Sequence, residues 1–368
     1  MDKKIVIEDI QIEDLLERSE IDLNDNKVKE DILGKVVIVT GAGGSIGSEL
    51  CNQIAGFNPK LLLMLDIYEN TLYELDIELR RKYPTLELKS IIASVRDSKR
   101  INEIFEEFKP NLVFHAAAHK HVPLMEISPI EAIKNNVFGT YNVAKAADKF
   151  GTQKFVLVST DKAVNPTSIM GATKRICEMI IQMMNSSSMT NYVAVRFGNV
   201  LGSHGSVIPI FKKQIKEGGP VTVTHKDVTR YFMTIPEAVG LILKANTFAL
   251  GGEIFVLDMG KQIRIYDLAV NMIKLCGYEP DKDIKIEFTG LRPGEKLYEE
   301  LLVNEEGLSK TLHEKIMVTK IMDFDPKLVK EELEKLKELI TSEEKVSKED
   351  IKRIIKEIVP IYIECGTN

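Results

Sequence analysis

Residues 40–50 read T-G-A-G-G-S-I-G-S-E-L and close an apolar run that starts at Val36. Gly41, Gly44 and Gly47 stand three apart, and a helical pattern begins at Ser45. So much glycine between a strand and a helix restricts the fold sharply. Such a turn bends tightly and lets the backbone approach a ligand, while the helix start offers free N–H groups and the positive end of its dipole. Ser45 and Ile46 would supply amides at that end. The feature commits the chain to a strand–turn–helix unit that cradles a pyrophosphate; the competing reading is a tight turn without a ligand.

The rest of the chain continues the same theme. Strand-like runs at 36–40, 61–65, 88–92, 112–115, 155–159 and 192–196 alternate with helix patterns at 45–55, 69–82, 98–108, 129–150 and 170–184. Apolar strands alternating with amphipathic helices predict a parallel sheet covered on both faces, a doubly wound α/β domain over 34–200. The alternation loosens after residue 200, where glycines punctuate short elements. Residues 201–322 are expected to form a smaller α/β substrate lobe interleaved with the first domain. Residues 323–368 read as a tail of two charged amphipathic helices, a structural cap or a subunit contact. Residues 1–33 are expected to be an extension with one short helix at 12–18.

Composition narrows the function. The 368 residues carry a net charge of −6, which argues against nucleic acid or anionic lipid as the main partner. No apolar run approaches the ~20 residues of a membrane helix, and residues 1–10 lack a signal-peptide core. The expectation is a cytoplasmic chain. Cys51, Cys177, Cys276 and Cys365 form no C-x-x-C pair and no zinc spacing with histidine, so reduced thiols and no metal site are expected.

The second strand ends at Asp66, 19 residues after Gly47. A carboxylate there accepts from both ribose hydroxyls of a dinucleotide and repels a 2′-phosphate, which favours NAD over NADP; the plain alternative is a solvated strand-end acid. Ser94 and Val95 follow the third strand and flank either an adenine or nothing, since Asp97 can equally cap a helix. After the fourth strand, Ala116, Ala117 and Ala118 would let a cofactor lie against the backbone, or simply pack closely. Thr160, Asp161 and Lys162 fall at the end of the fifth strand, the edge where open α/β sheets bind ligands. Met170 and Lys174 share a helix face one turn apart. A lysine there can hold a nicotinamide ribose, although an exposed Asp161–Lys162 ion pair and a core Met170 are the bland readings.

The sequence resembles the extended short-chain dehydrogenase/reductases, a Rossmann family. It does so through T-G-A-G-G-S-I-G-S-E-L, A-A-A-H-K-H-V-P-L-M-E, S-T-D-K-A-V-N-P-T-S-I-M-G-A-T-K-R and R-F-G-N-V-L-G-S-H-G-S-V-I-P. Within them it is most similar to bacterial polysaccharide-biosynthesis UDP-N-acetylglucosamine 4,6-dehydratases, over about residues 34–307. The resemblance implies a cycle on one sugar: oxidation at C4 by NAD⁺, water loss across C5 and C6, and hydride return to C6. It also implies roles. Asp161 is the acid at O6, Lys162 the base at C5, and Thr160 a hydrogen-bond partner of the 4-oxygen. Lys162 must then be neutral, which burial and nearby Lys174 are expected to bring about.

For the substrate side, the resemblance places Asn199 at the phosphate or sugar. Ser206, Val207, Pro209 and Gln214 border the uridine, Arg230 and Arg292 meet the diphosphate, and Glu295 accepts from the uridine ribose. Lys120, with His119 and His121 beside it, is placed within reach of the sugar. Three features depart from the wider family: Met170 stands where Tyr is usual, Ser94 replaces an adenine-binding Asp, and the membrane region of the anchored branch is missing, with residues 8–33 resembling its linker. Met170 points to retention at C5. The family's usual dimer helices correspond to those near 129–150 and 168–185, so a homo-oligomer is expected. The alternatives are a UDP-sugar 4-epimerase and a catalytically silent nucleotide-binding module.

Overall fold

The structure, a computed structural model, describes residues 26–301, 307–319, 325–342 and 346–364. The helix expected at 12–18 and Cys365 lie outside the described residues. The apolar runs become strands β1 (Val36–Thr40), β2 (Leu61–Asp66), β3 (Leu88–Ile92), β4 (Leu112–His115), β5 (Lys154–Val158) and β6 (Asn191–Arg196). The near-continuous burial of β2 and β4 fits a sheet covered on both faces, whereas β3, at the edge, is buried only at Leu88 and Ile91.

β1 pairs in parallel with both β2 and β4, and the parallel array runs on through β3 on one side and β5 and β6 on the other. Strand Ile254–Leu257 extends it in parallel, and the antiparallel strands Ile316–Thr319 and Leu308–Lys310 complete the far edge. The chain reverses its winding direction between β1 and β4, so a crevice opens at the carboxyl ends of these two strands.

Helices cover both faces. Ser45–Gly56, Glu69–Lys82 and Ile235–Phe248 pack on one through Leu50, Leu75 and Leu241; Ser98–Phe108, Gly139–Lys149 and Ile169–Asn185 pack on the other through Phe105, Ala144 and Ile181. The outer side of Ile169–Asn185 is covered by the tail helices Pro326–Thr341 and Lys348–Ile358, which bury Leu333, Leu336, Ile351 and Ile355. A separate apolar cluster, including Phe211, Val221, Met272 and Ile284, holds together the short elements after residue 200.

One helix differs in form from its sequence pattern. Between Pro129–Ala132 and Gly139–Lys149 the chain makes a π-helical turn, Ile133–Phe138. The widened turn turns Asn136 inward, where its Oδ1 accepts from the His119 amide at 2.8 Å and its Nδ2 donates to the His119 carbonyl at 3.0 Å. A π turn of this kind re-aims a side chain, and here it fixes the loop after β4. Among the described residues no helix is long and apolar enough to cross a membrane, and no group of three or more His, Cys, Asp or Glu is placed to hold a metal. The described cysteines, Cys51, Cys177 and Cys276, are buried free thiols.

Candidate active site

The glycine turn follows β1 directly. A Cβ on Gly47 would lie 1.9 Å from the Gly41 carbonyl oxygen, so only glycine lets the helix start fold back this far. Ala117 packs its backbone onto Gly41, which joins the turn to the loop after β4. Gly41, Gly44, Ser45, Ile46, Gly47, Ala116 and Ala118 line a cavity of about 730 Å³ that runs on past the end of β5 to the short elements after residue 200. Ser45 Oγ also meets His204 Nδ1 at 2.9 Å, which ties the helix start to the loop after β6.

Asp66 plays a part in the turn itself. Its Oδ2 accepts from the Gly43 amide at 2.8 Å and its Oδ1 from the Tyr68 amide at 2.9 Å. Asp66, Ser94, Val95 and Ala117 do not line this cavity. Ser94 Oγ accepts from the Arg96 amide, Val95 is buried against Gly139, and Asp97 caps Ser98–Phe108 by accepting from the Arg100 amide.

Beyond β5 the chain makes a short 3₁₀ turn, Asp161–Ala163, with Thr160 as its N-cap. The helix Ile169–Asn185 is capped by Ser168 and starts hard against this turn: a Cβ on Gly171 would lie 2.2 Å from the Lys162 carbonyl oxygen. That contact holds Thr160, Asp161 and Lys162 on the cavity wall. Met170 and Lys174 line it too; Met170 is buried in the apolar cluster under the tail, and Lys174 Nζ donates to the Val158 carbonyl at 2.8 Å. Burial pulls the Lys174 amine below its ordinary value.

A buried charge cluster supports this wall from behind. Glu178 accepts from Arg196 through both carboxylate oxygens at 2.7 Å and from Ser159 Oγ at 2.7 Å, with Arg175 at 3.3 Å. Burial alone would raise the Glu178 carboxyl, but Arg196 outweighs it and holds the group low. Nearby His115, bonded to Thr40 and Thr140, is pushed by burial down to about 3 and stays neutral.

The site's charges centre on Lys162 Nζ. It donates to Asp161 Oδ1 at 3.0 Å, Asn199 Oδ1 at 3.2 Å and Glu299 Oε1 at 2.6 Å. Thr160 Oγ1 donates to the same Asp161 Oδ1 at 2.9 Å, while the buried Asp161 Oδ2 has no partner. Burial, then the Glu299 charge, pushes the Asp161 carboxyl up to about 7. Burial pulls the Lys162 amine down, but Asp161 and Glu299 outweigh it and hold it above the ordinary lysine value. This corrects the expectation that burial and Lys174 make Lys162 neutral: two carboxylates face it, and one of them was not anticipated. Glu299 lies in an eleven-residue stretch, L-R-P-G-E-K-L-Y-E-E-L, with two other acids, and nothing in its spacing singles it out.

The remaining candidates divide. Lys120, Asn199, Ser206, Val207, Arg230, Arg292 and Glu295 line the cavity, whereas Pro209 and Gln214 do not. Gln214 is engaged on both sides of its amide by Thr222. Ser206 precedes the helix Val207–Lys216, and its buried Oγ has no partner. Arg230 donates to Glu295 at 3.1 Å and pairs with Glu299 at 3.2 Å, and Arg292, more than half exposed, donates to the other oxygen of Glu295 at 3.2 Å. His119 and His121 line the cavity as well, both pulled down by burial.

The polysaccharide biosynthesis protein family matches residues 37–321. The capsular polysaccharide biosynthesis protein CapD of Staphylococcus aureus is 55% identical over 314 residues, 85% of this chain and 52% of that protein. The chain thus spans about half the length of that relative. A UDP-glucose 4-epimerase of Rickettsia canadensis is 36% identical over 279 residues, 74% of this chain and 79% of that one. Among solved structures, that of Pen from Bacillus thuringiensis is 37% identical, with a TM-score of 0.73 over 78% of this chain and 89% of that one.

Proposed function

Since the chain belongs to the polysaccharide biosynthesis protein family, within the extended short-chain dehydrogenase/reductases, we propose that it is an NAD-dependent UDP-N-acetylglucosamine 4,6-dehydratase that retains the C5 configuration. The observation that carries this reading is the pair Asp161 and Lys162, joined at 3.0 Å on the cavity wall beyond the glycine cradle. An elimination needs an acid and a base on neighbouring atoms of one substrate. Epimerisation at C4 needs no such pair for C5 and C6.

The residues fit a dinucleotide: the turn that only Gly47 permits leaves the Ser45 and Ile46 end of a helix facing the cavity. Bound NAD would supply the hydride chemistry, oxidising the sugar at C4 and reducing it at C6. Lys174 would hold the nicotinamide ribose, and Asp66 the adenosine ribose. Arg230, Arg292 and the helix start at Ser206 would take the diphosphate, whose anionic oxygens suit guanidinium groups and free amides. Thr160 would donate to the 4-oxygen.

Asp161 and Lys162 would act as one unit that shares a proton. In the resting ion pair, Lys162 carries it. Transfer along the 3.0 Å bond gives a neutral amine and a carboxylic acid, the forms needed to take the C5 proton and protonate the departing 6-hydroxyl. Below about pH 7 both groups are protonated and no base is available; well above the ordinary lysine value neither is, and no acid remains. Dehydration should therefore follow a bell-shaped pH profile whose limbs belong to the pair.

Incubation with UDP-N-acetylglucosamine in deuterated water tests the reading. Loss of one water and incorporation of one solvent deuteron at C5 are expected. An isomer of unchanged mass would instead establish the 4-epimerase reading, which the Rickettsia relative motivates.

A further inference from the structure

The segment around Leu297–Glu299 is strapped across the site by contacts unrelated to a ligand: the Thr229 amide donates to the Leu297 carbonyl at 3.1 Å, Gln262 Nε2 to the Glu299 carbonyl at 2.9 Å, and Lys296 Nζ to the Val164 carbonyl at 2.9 Å. These bonds drive the Glu299 side chain inward, where it is 3% exposed. Its Oε1 lies 2.6 Å from Lys162 Nζ and 3.2 Å from Arg230 Nε, and its Oε2 accepts from Asn199 Nδ2 at 2.9 Å. A carboxylate this buried is held only by such partners.

We propose that Glu299 is a positioning residue for the reaction: its carboxylate anchors the Lys162 amine opposite Asp161 and sets the pH at which their shared proton is available. The proposal rests on the reading of Lys162 and Asp161 as the elimination pair. Four charged groups face Lys162: Asp161 on its own turn, Glu299 on the strap, Arg230 on the strand Thr229–Arg230, and Lys120 on the loop after β4. Glu299 makes the shortest of the Lys162 contacts. Its negative charge favours a proton on Lys162 and also on Asp161, so it moves both limbs of the profile in the same direction. It thereby trades the fraction of free amine for a more strongly basic one.

The test reads Lys162 directly, on the full chain without substrate. Brief pulses of acetic anhydride across a pH series acetylate only the free amine, and peptide mass spectrometry follows residue 162. The pH midpoint reports proton affinity, separately from access. Glu299→Gln should lower it by about one pH unit or more, the usual effect of losing an opposite charge within ~4–6 Å, and Glu299→Asp should restore much of the difference. In turnover, both limbs should move to lower pH in Glu299→Gln. If that variant does not fold, Arg230→Gln serves with the opposite sign, because it removes the cation that competes for Glu299. A midpoint unmoved in the folded variant overturns the proposal. A shifted midpoint without water loss from UDP-N-acetylglucosamine would sustain the role of Glu299 and refute the reading of the reaction.

Discussion

Asp161 offers a test in which stability and turnover are read on one group. Its carboxyl is fully buried, and burial with the Glu299 charge raises it from 3.8 to about 7. A group raised in this way contributes stability that is fully present below 3.8 and lost as pH rises through about 7. The rise is worth about 4 kcal/mol at ~1.4 kcal/mol per pKa unit, developing at most steeply between about pH 4 and pH 7. Asp161→Asn has nearly the same shape and cannot ionise, so it should lack this slope. Glu299 does not blur the window: burial opposes, but Lys162 and Arg230 hold it down to about 2, so its contribution is present above 4.5 and is lost only in stronger acid. Urea unfolding of both proteins across the series should show the wild type losing about 4 kcal/mol relative to the variant as pH rises. The same substitution removes the proposed proton donor and should lower dehydration by ~10²–10⁴-fold. Parallel stability curves would refute the assignment of a buried, proton-holding carboxyl, and retained turnover would remove Asp161 from the elimination.

Two further outcomes are expected. Glu178→Ala leaves Arg196, which is fully buried, without its carboxylate, and should destabilise the protein by about 3–5 kcal/mol in urea unfolding; a change near zero would mean that water or a neighbour replaces the pairing. Gly47→Ala places a carbon 1.9 Å from the Gly41 oxygen and must displace the turn; NAD measured after heat release from the purified variant should fall well below one per chain, and an undiminished content would show that the cradle does not depend on this close approach.

Much of the fold was legible because its signals are local. The runs at 36–40 and 61–65 were uninterrupted and of interior composition, the run at 88–92 carried Lys89 and Ser90 as an edge strand does, and each became a strand with ends within a residue of the pattern. The glycine spacing marked the strand–turn–helix unit, and the T-D-K step put an acid and an amine side by side at a strand end, their proposed roles coming from the family resemblance. The π turn at Ile133–Phe138 was not legible: the residues read as ordinary helix, and the turn is justified by Asn136 reaching His119, seventeen positions away.

The sequence by itself determined the β–turn–α unit, the winding of the sheet and the placing of Asp161 and Lys162 side by side at a strand end, since each depends on residues within one turn or one strand end. Only the tertiary structure decided their charge. Proton affinity depends on every charge within a few ångströms, and Glu299 comes within 2.6 Å of Lys162 across 137 positions of chain. The same holds for the glycines. The spacing of Gly47 suggested room for a ligand, and the fold adds a second reason for it, the carbonyl of Gly41 against which no side chain fits.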